Sequence, residues 1–270
     1  MADEPIRERL HAALHRGGKK ASEEELEAVT EVVLLVVAEV TAELAILVTT
    51  VYLHRGLAHR AITVHPVVAG PLRVVIWVAT GMKPREWTAV HRRHHAATDT
   101  ADDPHSPLVH GFWRVQLANA ALYRRTARDG VTVDKYAKDL PPDRLDRWFF
   151  DRAWLGLGIG VVVLCLVLGW QTGLLAAVVH MVAYLGLSGA VNAVGHTVGD
   201  RPHDNSATNG RFLALFTAGE GLHNNHHDAP TSARFARRWG DPDPGWWAVR
   251  SLSLVGLVRI RHRTVPVRSD

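Results

Sequence analysis

A long stretch without charge in the second half of the chain is the feature that most limits its fold. No Asp, Glu, Lys or Arg occurs between Ala153 and Gly199. A stretch of this length holds two helices of roughly 20 residues, the length that crosses the hydrocarbon core of a bilayer. The turn between them fits at residues 169–173, where Gly, Gln and Thr interrupt the apolar pattern. A buried hairpin of a soluble protein is the alternative, but the sequence favours a pair of membrane-spanning helices.

Two more apolar stretches precede this pair. Residues 32–53 are rich in Val and Leu but carry Glu39 and Glu43, one helical turn apart, so we expect a span with a polar stripe. Residues 61–82 are interrupted by Pro66 and Pro71, which favours an interfacial or buried helix over a further span. The sequence therefore predicts three spans, with four as the alternative.

The basic residues predict the orientation of these spans. Lys and Arg are frequent in residues 54–152 and 200–270, whereas the turn at residues 169–173 has none. Because basic segments stay on the cytoplasmic side, both regions are expected to form a cytoplasmic helical cap. The predicted fold is an all-α, integral-membrane helical bundle in the cell membrane, with its active site on the cytoplasmic side. A polar segment over residues 1–30 is expected to precede one domain over residues 31–270.

Composition excludes several classes of protein. The formal net charge of +4, from 31 Lys and Arg against 27 Asp and Glu, does not indicate a nucleic-acid binder, so no nucleic acid is expected as a partner. The single cysteine, Cys165, excludes a disulfide within the chain and any CxxC metal or redox motif. The high content of Ala, Val and Arg is typical of a bacterium with a GC-rich genome.

The 17 histidines are more informative because most of them are clustered. One HxxxxH motif, two HxxHH motifs and one histidine after the uncharged stretch contain the candidate metal ligands: His54, His59, His91, His94, His95, His196, His223, His226 and His227. Asn192 precedes the lone histidine by one helical turn, so the two side chains can face the same centre.

The spacing within these motifs has a structural meaning. Residues at i, i+3 and i+4 share one face of a helix, so each HxxHH motif can direct three imidazoles at one place. Two such faces can close around a shared site. His54 and His59 are five residues apart and do not share an α-helical face. Either the helix is locally unwound near Gly56, or the two rings serve different metals.

Nine imidazoles exceed the ligands that one ion can use, so two ions are implied. Imidazole suits iron, zinc, copper and nickel, whereas a structural zinc site needs four ligands and favours cysteine. Neutral ligands leave the metal charge largely uncompensated, which favours metals that bind oxygen-derived anions and change oxidation state. We therefore expect two irons that cycle between Fe2+ and Fe3+. Four nearby acids are candidates for orienting the imidazoles: Asp99, Asp102, Asp103 and Glu220.

The order of these motifs resembles the membrane fatty acid desaturase family, in its acyl-CoA Δ9 (stearoyl-CoA type) branch. The resemblance includes the Glu-Trp pair at residues 86–87 and the strings at residues 91–107, 192–196 and 219–227. It implies that the nine histidines are iron ligands and that Asn192 reaches one iron through water. Relatives have a hydrophobic hairpin before the HxxxxH motif, whereas here only one apolar stretch precedes it.

The resemblance also implies a reaction. A cis double bond would be introduced into a fatty acyl chain, as acyl-CoA or acyl-lipid, with dioxygen as co-substrate. Electrons would come from a separate ferredoxin or cytochrome b5-like donor and its reductase, since no fused carrier motif is visible. Membrane lipid would surround the spans. The alternatives are a hydroxylase, acetylenase or alkane oxidase on the same scaffold, or a non-catalytic metal-binding membrane protein.

Overall fold

The computed structural model describes residues 23–263, and this part of the chain is mostly helical. Its α-helices, in chain order, are α1 (Glu23–Val48), α2 (Pro66–Thr80), α3 (Pro84–Ala96), α4 (Pro107–His110), α5 (Phe112–Ala127), α6 (Gly130–Tyr136), α7 (Ala153–Leu168), α8 (Trp170–Ala193), α9 (Arg211–Phe216), α10 (His223–Asp228) and α11 (Pro244–Leu254). Other helical segments are π-helical at Thr49–Ala58 and Asp146–Phe150, and 3-10 helical at Val194–His196. The predicted helical fold is thereby confirmed in outline.

The bundle is built around α8, which packs along α1, α5 and α7. Helix α7 lies against α2. Small residues on α7 allow the two helices to approach closely. Gly156 and Gly160 of α7 face the backbone carbonyls of Trp77 and Val78, where a Cβ atom would have no room. Such small residues let two helices approach each other within an apolar environment.

The hairpin predicted from the uncharged stretch is present as α7 and α8. The chain reverses at Gly169, within the predicted turn, and its φ of +89° belongs to a backbone region that glycine adopts without steric cost. The two arms differ in length. With 24 residues α8 is long enough to cross a bilayer, whereas α7 has 16 residues and falls short of the roughly 20 usually needed.

Among the described residues, two helical stretches are long and apolar enough to cross a membrane: Glu24–Ala58 and Trp170–His196. The shorter α2 and α7 are also apolar. Large apolar side chains cover the outer surface of these helices, and Leu166 and Val182 are 76% and 62% exposed. Contiguous apolar surface of this kind is rare on soluble monomers and is suited to lipid.

The segment 61–82, which we expected to form an interfacial or buried helix, is helical only from Pro66. Its first residues form β1 (Ile62–Val64), and the His65 side chain then accepts a hydrogen bond from the Val67 amide as the N-cap of α2. At the start of the bundle, α1 begins at Glu23 and continues through the predicted domain boundary at residue 30. The rest of the predicted polar segment, residues 1–22, lies outside the described residues.

A short antiparallel sheet departs from the predicted all-α fold. Strand β1 pairs with β2 (Val258–Ile260), near the end of the described chain. Residues 246–263 mix Trp, Leu and Val with Arg, a pattern that favours an interfacial helix, but α11 ends at Leu254 and Gly256 turns the chain with a φ of +75°. The Val-Arg-Ile sequence that follows suits a strand, and β1 offers the paired edge. This strand pair attaches the C-terminal segment to the residues that follow the HxxxxH motif.

Candidate metal centre

The nine histidines proposed from the sequence converge in one region at one end of the bundle. They come from four elements: the π-helical segment after α1, helix α3, the 3-10 turn after α8, and helix α10. Five of them, including His54, His94 and His196, expose 2% of their surface or less. These elements are far apart in sequence, so the region forms only when all four are folded against one another.

The imidazoles divide into two groups. In each group, one nitrogen from every ring lies within 4.8 Å of the others. The five-histidine group consists of His54, His59, His91, His95 and His226. The four-histidine group consists of His94, His196, His223 and His227. Every candidate ligand therefore belongs to one group, and each group has enough nitrogen donors to hold one ion.

Each HxxHH motif contributes to both groups. On α3, His91 and His95 join the five-histidine group, while His94 joins the other. On α10 the division is reversed, because His223 and His227 join the four-histidine group and His226 joins the five-histidine group. Residues four apart therefore share a group, and the residue between them serves the neighbouring one. The two motifs face each other across the centre, and each gives two histidines to one group and one histidine to the other.

The HxxxxH motif fits one group because its helix is not an α-helix. The π-helical segment Thr49–Ala58 forms hydrogen bonds between residues five apart, and the His59 amide donates to the His54 carbonyl over 3.0 Å. This wider turn brings residues five apart onto the same side. Of the two alternatives from the sequence, local unwinding near Gly56 agrees with the structure, and a division of the two rings between metals does not.

Three of the four candidate acids contact a histidine through its Nδ1 atom. Glu220 lies 2.5 Å from Nδ1 of His54, Asp103 2.9 Å from Nδ1 of His94, and Asp99 2.9 Å from Nδ1 of His196. Two serines, Ser106 and Ser206, also donate hydrogen bonds to Asp99. A carboxylate only accepts hydrogen bonds, so Nδ1 of each of these rings carries the proton and Nε2 keeps a free lone pair.

The candidate acid Asp102 does not take this position. Its side chain is exposed and contacts no histidine in the described part of the chain, while its backbone carbonyl accepts a hydrogen bond from Arg93. In this loop Asp99 and Asp103 point inward, and Asp102 points to solvent. The role proposed for Asp102 from the sequence is therefore not supported.

The Nε2 atoms of His54 and His94, which these carboxylates leave without a proton, each face the Nε2 atom of another histidine. Nε2 of His54 lies 3.1 Å from Nε2 of His226, and Nε2 of His94 lies 3.3 Å from Nε2 of His227. The Nε2 atom of His196 is buried and has no hydrogen-bond partner. Buried lone pairs directed at one another repel and remain unsatisfied unless a cation lies between them. The donor set therefore fits two metal ions, one in each group.

Burial favours the neutral form of several imidazoles of the two groups. Loss of solvent, followed by repulsion from neighbouring histidines, holds the pKa of His91, His95 and His223 well below the ordinary value. A neutral imidazole is the form that binds a metal ion. For the acids, burial raises the pKa of Asp99, but hydrogen bonds from His196 and the two serines outweigh it and bring the pKa below its usual value. The centre thus combines neutral imidazoles, at these three positions, with an ionised Asp99.

Other residues near the centre have different roles. Asn192 lies in the last turns of α8, and its side-chain amide donates to Asn119 over 3.2 Å, so a water-mediated contact to a metal stays a prediction. The His105 ring lies 4.6 Å from the His94 ring, with the two planes tilted by 34°, and burial lowers the pKa of His105 to about 3. His180 lies mid-helix and bonds to Thr41 and to the Ala79 carbonyl, as expected for a packed side chain.

Sequence reasoning missed two features of the centre. The indole of Trp87 stacks on the His91 ring, with 4.9 Å between ring centroids, and its place one helical turn before His91 was a readable signal. Arg55 lies within the HxxxxH motif and is fully buried beside the five-histidine group. No local pattern distinguishes it from a surface arginine.

A cavity of about 1290 Å³ leads from the centre into the bundle. Near the cap its wall includes His54, His91, His223 and Glu220. Further into the bundle its wall is mainly apolar and consists of residues from α1, α2, α7 and α8, among them Val161, Leu164, Ala177 and Met181. The cavity therefore places an apolar space beside both histidine groups.

These features define a helical protein with a two-part polyhistidine centre at the end of an apolar cavity. The particular family follows from comparison with known proteins. The fatty acid desaturase family matches residues 32–239, and the chain belongs to this family. The match covers every histidine of both groups.

Curated relatives agree with this family. An sn-2 palmitoyl-lipid 9-desaturase of Nostoc sp. (strain 36) is 32% identical over 210 residues, which are 76% of this chain and 73% of that protein. An acyl-CoA C20 Delta5-desaturase of Anemone leveillei is 32% identical over 216 residues, 77% of this chain and 67% of that protein. An sn-1 stearoyl-lipid 9-desaturase of Synechocystis sp. (strain ATCC 27184 / PCC 6803 / Kazusa) is 30% identical over 177 residues, 64% of this chain and 54% of that protein.

Proposed function

We propose that this protein is an oxygen-dependent desaturase that introduces a cis double bond, at the Δ9 position, into a fatty acyl chain. The observation that carries the proposal is the position of two histidine groups at the end of a largely apolar cavity. Membership of the desaturase family supports the reaction class, and the relatives named for Δ9 activity support the position of the double bond.

The nine histidines are the proposed ligands of two irons, with Asn192 reaching one iron through water. When bound, the irons supply the activation of dioxygen that allows an unactivated C–H bond to be broken. The protein's own contribution is to hold the imidazoles in one orientation. Glu220, Asp103 and Asp99 fix the tautomers of His54, His94 and His196 and keep the Nε2 lone pairs directed inward.

The cavity would select which carbon reacts. An acyl chain bound along its apolar wall can slide only as far as the walls allow, so the cavity sets which carbons lie beside the histidine groups. A displacement of about 1 Å is enough to lower the rate strongly, because reaction requires alignment of the reacting atoms. Exclusion of water by the apolar wall also protects the centre from side reactions.

The head group of the substrate would lie at the cap end. Four basic residues, Lys83, Arg85, Arg124 and Arg128, line the cavity near the cap. Lys83 is paired with Glu86 and Arg85 with Asp134. Arg124, in the last turn of α5, and Arg128, the residue that caps its C-terminus, are both exposed. This charge suits the phosphate of either an acyl-CoA or an acyl-lipid, and relatives are named for both.

The location follows from the same arrangement. We propose a multi-pass protein of the cell membrane in which α1 and α8 span and the shorter α2 and α7 complete the bundle. The cap and its active site would face the cytoplasm, where a separate ferredoxin or cytochrome b5-like donor, reduced by its own reductase, would supply electrons. Arg-rich cap segments would attract an acidic carrier.

Expression in a host with low background desaturation tests the proposal. Cells would be fed isotopically labelled saturated acyl chains, and the double bond would be located by mass spectrometry in the acyl-CoA and phospholipid fractions separately. We expect labelled cis Δ9 product, and the fraction that is labelled first identifies the head group. A labelled alcohol or alkyne would instead indicate a different oxidation on the same scaffold, and no oxidised product from metal-loaded protein would contradict the proposal.

A further inference from the structure

A fully buried charge, that of Arg55, lies beside the candidate metal centre. Its side chain has no solvent exposure, although it lies within the HxxxxH motif on the π-helical segment. The guanidinium lies over the Phe235 ring at 3.8 Å, and Nε donates to the Ala233 carbonyl over 3.0 Å. A buried charge is costly unless it is paired and fully hydrogen-bonded. The guanidinium of Arg55 therefore requires an anionic partner in addition to these contacts.

That partner is Asp243, which is also fully buried. One terminal nitrogen of Arg55 donates to Oδ1 of Asp243 over 2.8 Å. The other Asp243 oxygen accepts from the backbone amides of Phe235 and Ala236, at 2.7 and 3.2 Å. Oδ1 also accepts from the Trp246 amide at 2.9 Å, which caps the start of α11. Asp243 thus fastens three backbone positions of the C-terminal segment to one arginine.

The opposite side of Arg55 faces the five-histidine group. Its second terminal nitrogen donates to the Thr50 hydroxyl and lies 3.8 Å from Glu220. Thr50 in turn donates to Glu220, the carboxylate that accepts from Nδ1 of His54. A continuous path of hydrogen bonds and charge pairs therefore joins Asp243, Arg55 and Glu220 to a single imidazole.

The Phe235 ring completes the contact between this segment and the centre. It lies 5.6 Å from the His54 ring and 4.8 Å from the His226 ring, so it packs against two members of the same group. Strand pairing between β2 and β1 holds the segment further along, and the Ala233 amide bonds to the His262 carbonyl over 3.1 Å. The family match ends at residue 239, before Asp243.

We propose that Arg55 and Asp243 are positioning residues for the five-histidine group, and that the C-terminal segment from Ala233 to Trp246 is thereby part of the metal centre. Arg55 holds Glu220 at the angle that directs Nε2 of His54 inward. Asp243 holds Arg55, because no other carboxylate in the described part of the chain forms an ion pair of ordinary length with it. The inference rests on the proposed function only in assuming that both histidine groups bind a metal.

The test compares single and double variants of the full-length purified protein. Removing one partner, as in R55M or D243N, leaves an unpaired buried charge and should lower both thermal stability and metal binding. Replacing both partners, as in R55M/D243L, removes both charges and should recover part of the melting temperature, since three backbone amides still lose the Asp243 acceptor. If the pair acts by positioning, the double variant still lacks the group that orients Glu220, and the metal affinity of the five-histidine group falls about 10-fold.

Metal binding is measured directly, without substrate. Titration with Co2+ followed by its visible absorption bands reports how each ion is coordinated, and 57Fe loading with Mössbauer spectroscopy counts the two iron environments. In R55M/D243L we expect a changed signal from the five-histidine group and an unchanged signal from the four-histidine group. An Asp241→Asn variant is the matched control, because Asp241 also binds an arginine, Arg211, but has no contact with Arg55 or Glu220.

Wild-type affinity and wild-type spectra at both positions in R55M/D243L would overturn the inference and assign the pair a purely structural role. A change of equal size in Asp241→Asn would also overturn it, since the effect would then belong to the C-terminal segment in general. Failure of the proposed function is distinguishable from either result. It would appear as a wild-type protein that binds two irons and gives no unsaturated product.

Discussion

His226 and His227 are consecutive residues on α10 and belong to different halves of the metal centre. The Nε2 atom of His226 lies 3.1 Å from that of His54, in the five-histidine group. The Nε2 atom of His227 lies 3.2 Å from that of His223, in the four-histidine group. Neighbouring side chains point in different directions from a helix, and here that divergence assigns one imidazole to each proposed ion.

This division predicts that neighbouring substitutions affect different irons. His226→Ala leaves four imidazoles in its group, and His227→Ala leaves three in the other. We expect both variants to lose product formation, because the reaction needs both irons, while each keeps the Mössbauer signal of the group that it does not touch. The exposed His65, which caps α2, provides the control His65→Ala with full iron content. Identical spectra from the two variants would contradict the assignment of the groups.

The carboxylates that contact the histidines predict a loss of metal affinity when they are replaced. Asp99→Asn or Asp103→Asn replaces a carboxylate that fixes an imidazole tautomer, and loss of such a partner typically lowers metal affinity roughly 10- to 100-fold. Asp102→Asn is the matched control from the same loop, because its side chain is exposed. Competition with a chelator of known affinity measures the change. An effect of Asp102→Asn as large as the others would show that the loop, and not the histidine contacts, determines affinity.

The convergence of the nine histidines was predictable from sequence, but their division into two groups was not. The i, i+3, i+4 spacing of the two HxxHH motifs places three rings on one side of a helix, whatever the tertiary structure. Which ring joins which group depends on how α3 and α10 face each other, and no local pattern specifies that. The pairing of His54 with His59 needed a π-helical segment, and spacing alone left it open.

Long-range contacts mark the limit of prediction. Arg55 and Asp243 are separated by 188 positions, and each has the local sequence of an ordinary charged residue. The hairpin of α7 and α8 was readable because absence of charge is a property of one continuous stretch. By contrast, β2 forms only because β1 is placed beside it, so a Val-Arg-Ile sequence at the end of a basic tail did not predict a strand.

His180 predicts a variant that separates stability from metal binding. Its ring bonds to the Thr41 hydroxyl and to the Ala79 carbonyl, over 3.1 and 2.9 Å, and so joins α1, α2 and α8. His180→Ala leaves that carbonyl without a partner and should lower the free energy of unfolding by about 1–3 kcal/mol. Iron content should stay at the wild-type level, whereas His94→Ala should lose iron. Loss of iron from His180→Ala at a temperature where it remains folded would contradict this division of roles.

The cavity predicts which substitutions change the length of the acyl chain that is accepted. Ala177 lines the cavity roughly 22 Å along α8 from Asn192, at 1.5 Å per residue. Ala177→Phe adds a six-carbon ring and would displace at least two methylene groups of a long acyl chain. At about 0.8 kcal/mol for each buried methylene, the relative conversion of the longest chains should fall by at least about 15-fold. The adjacent Val178 is 50% exposed on the outer face of the helix, so Val178→Phe places the same ring outside the cavity and should leave the chain-length profile unchanged. Product profiles from an equimolar mixture of saturated chains measure both variants, with iron content as a check on the metal centre. An equal shift in the two variants would mean that bulk on α8 acts through helix packing, and no shift in Ala177→Phe would remove this part of the cavity from the path of the acyl chain.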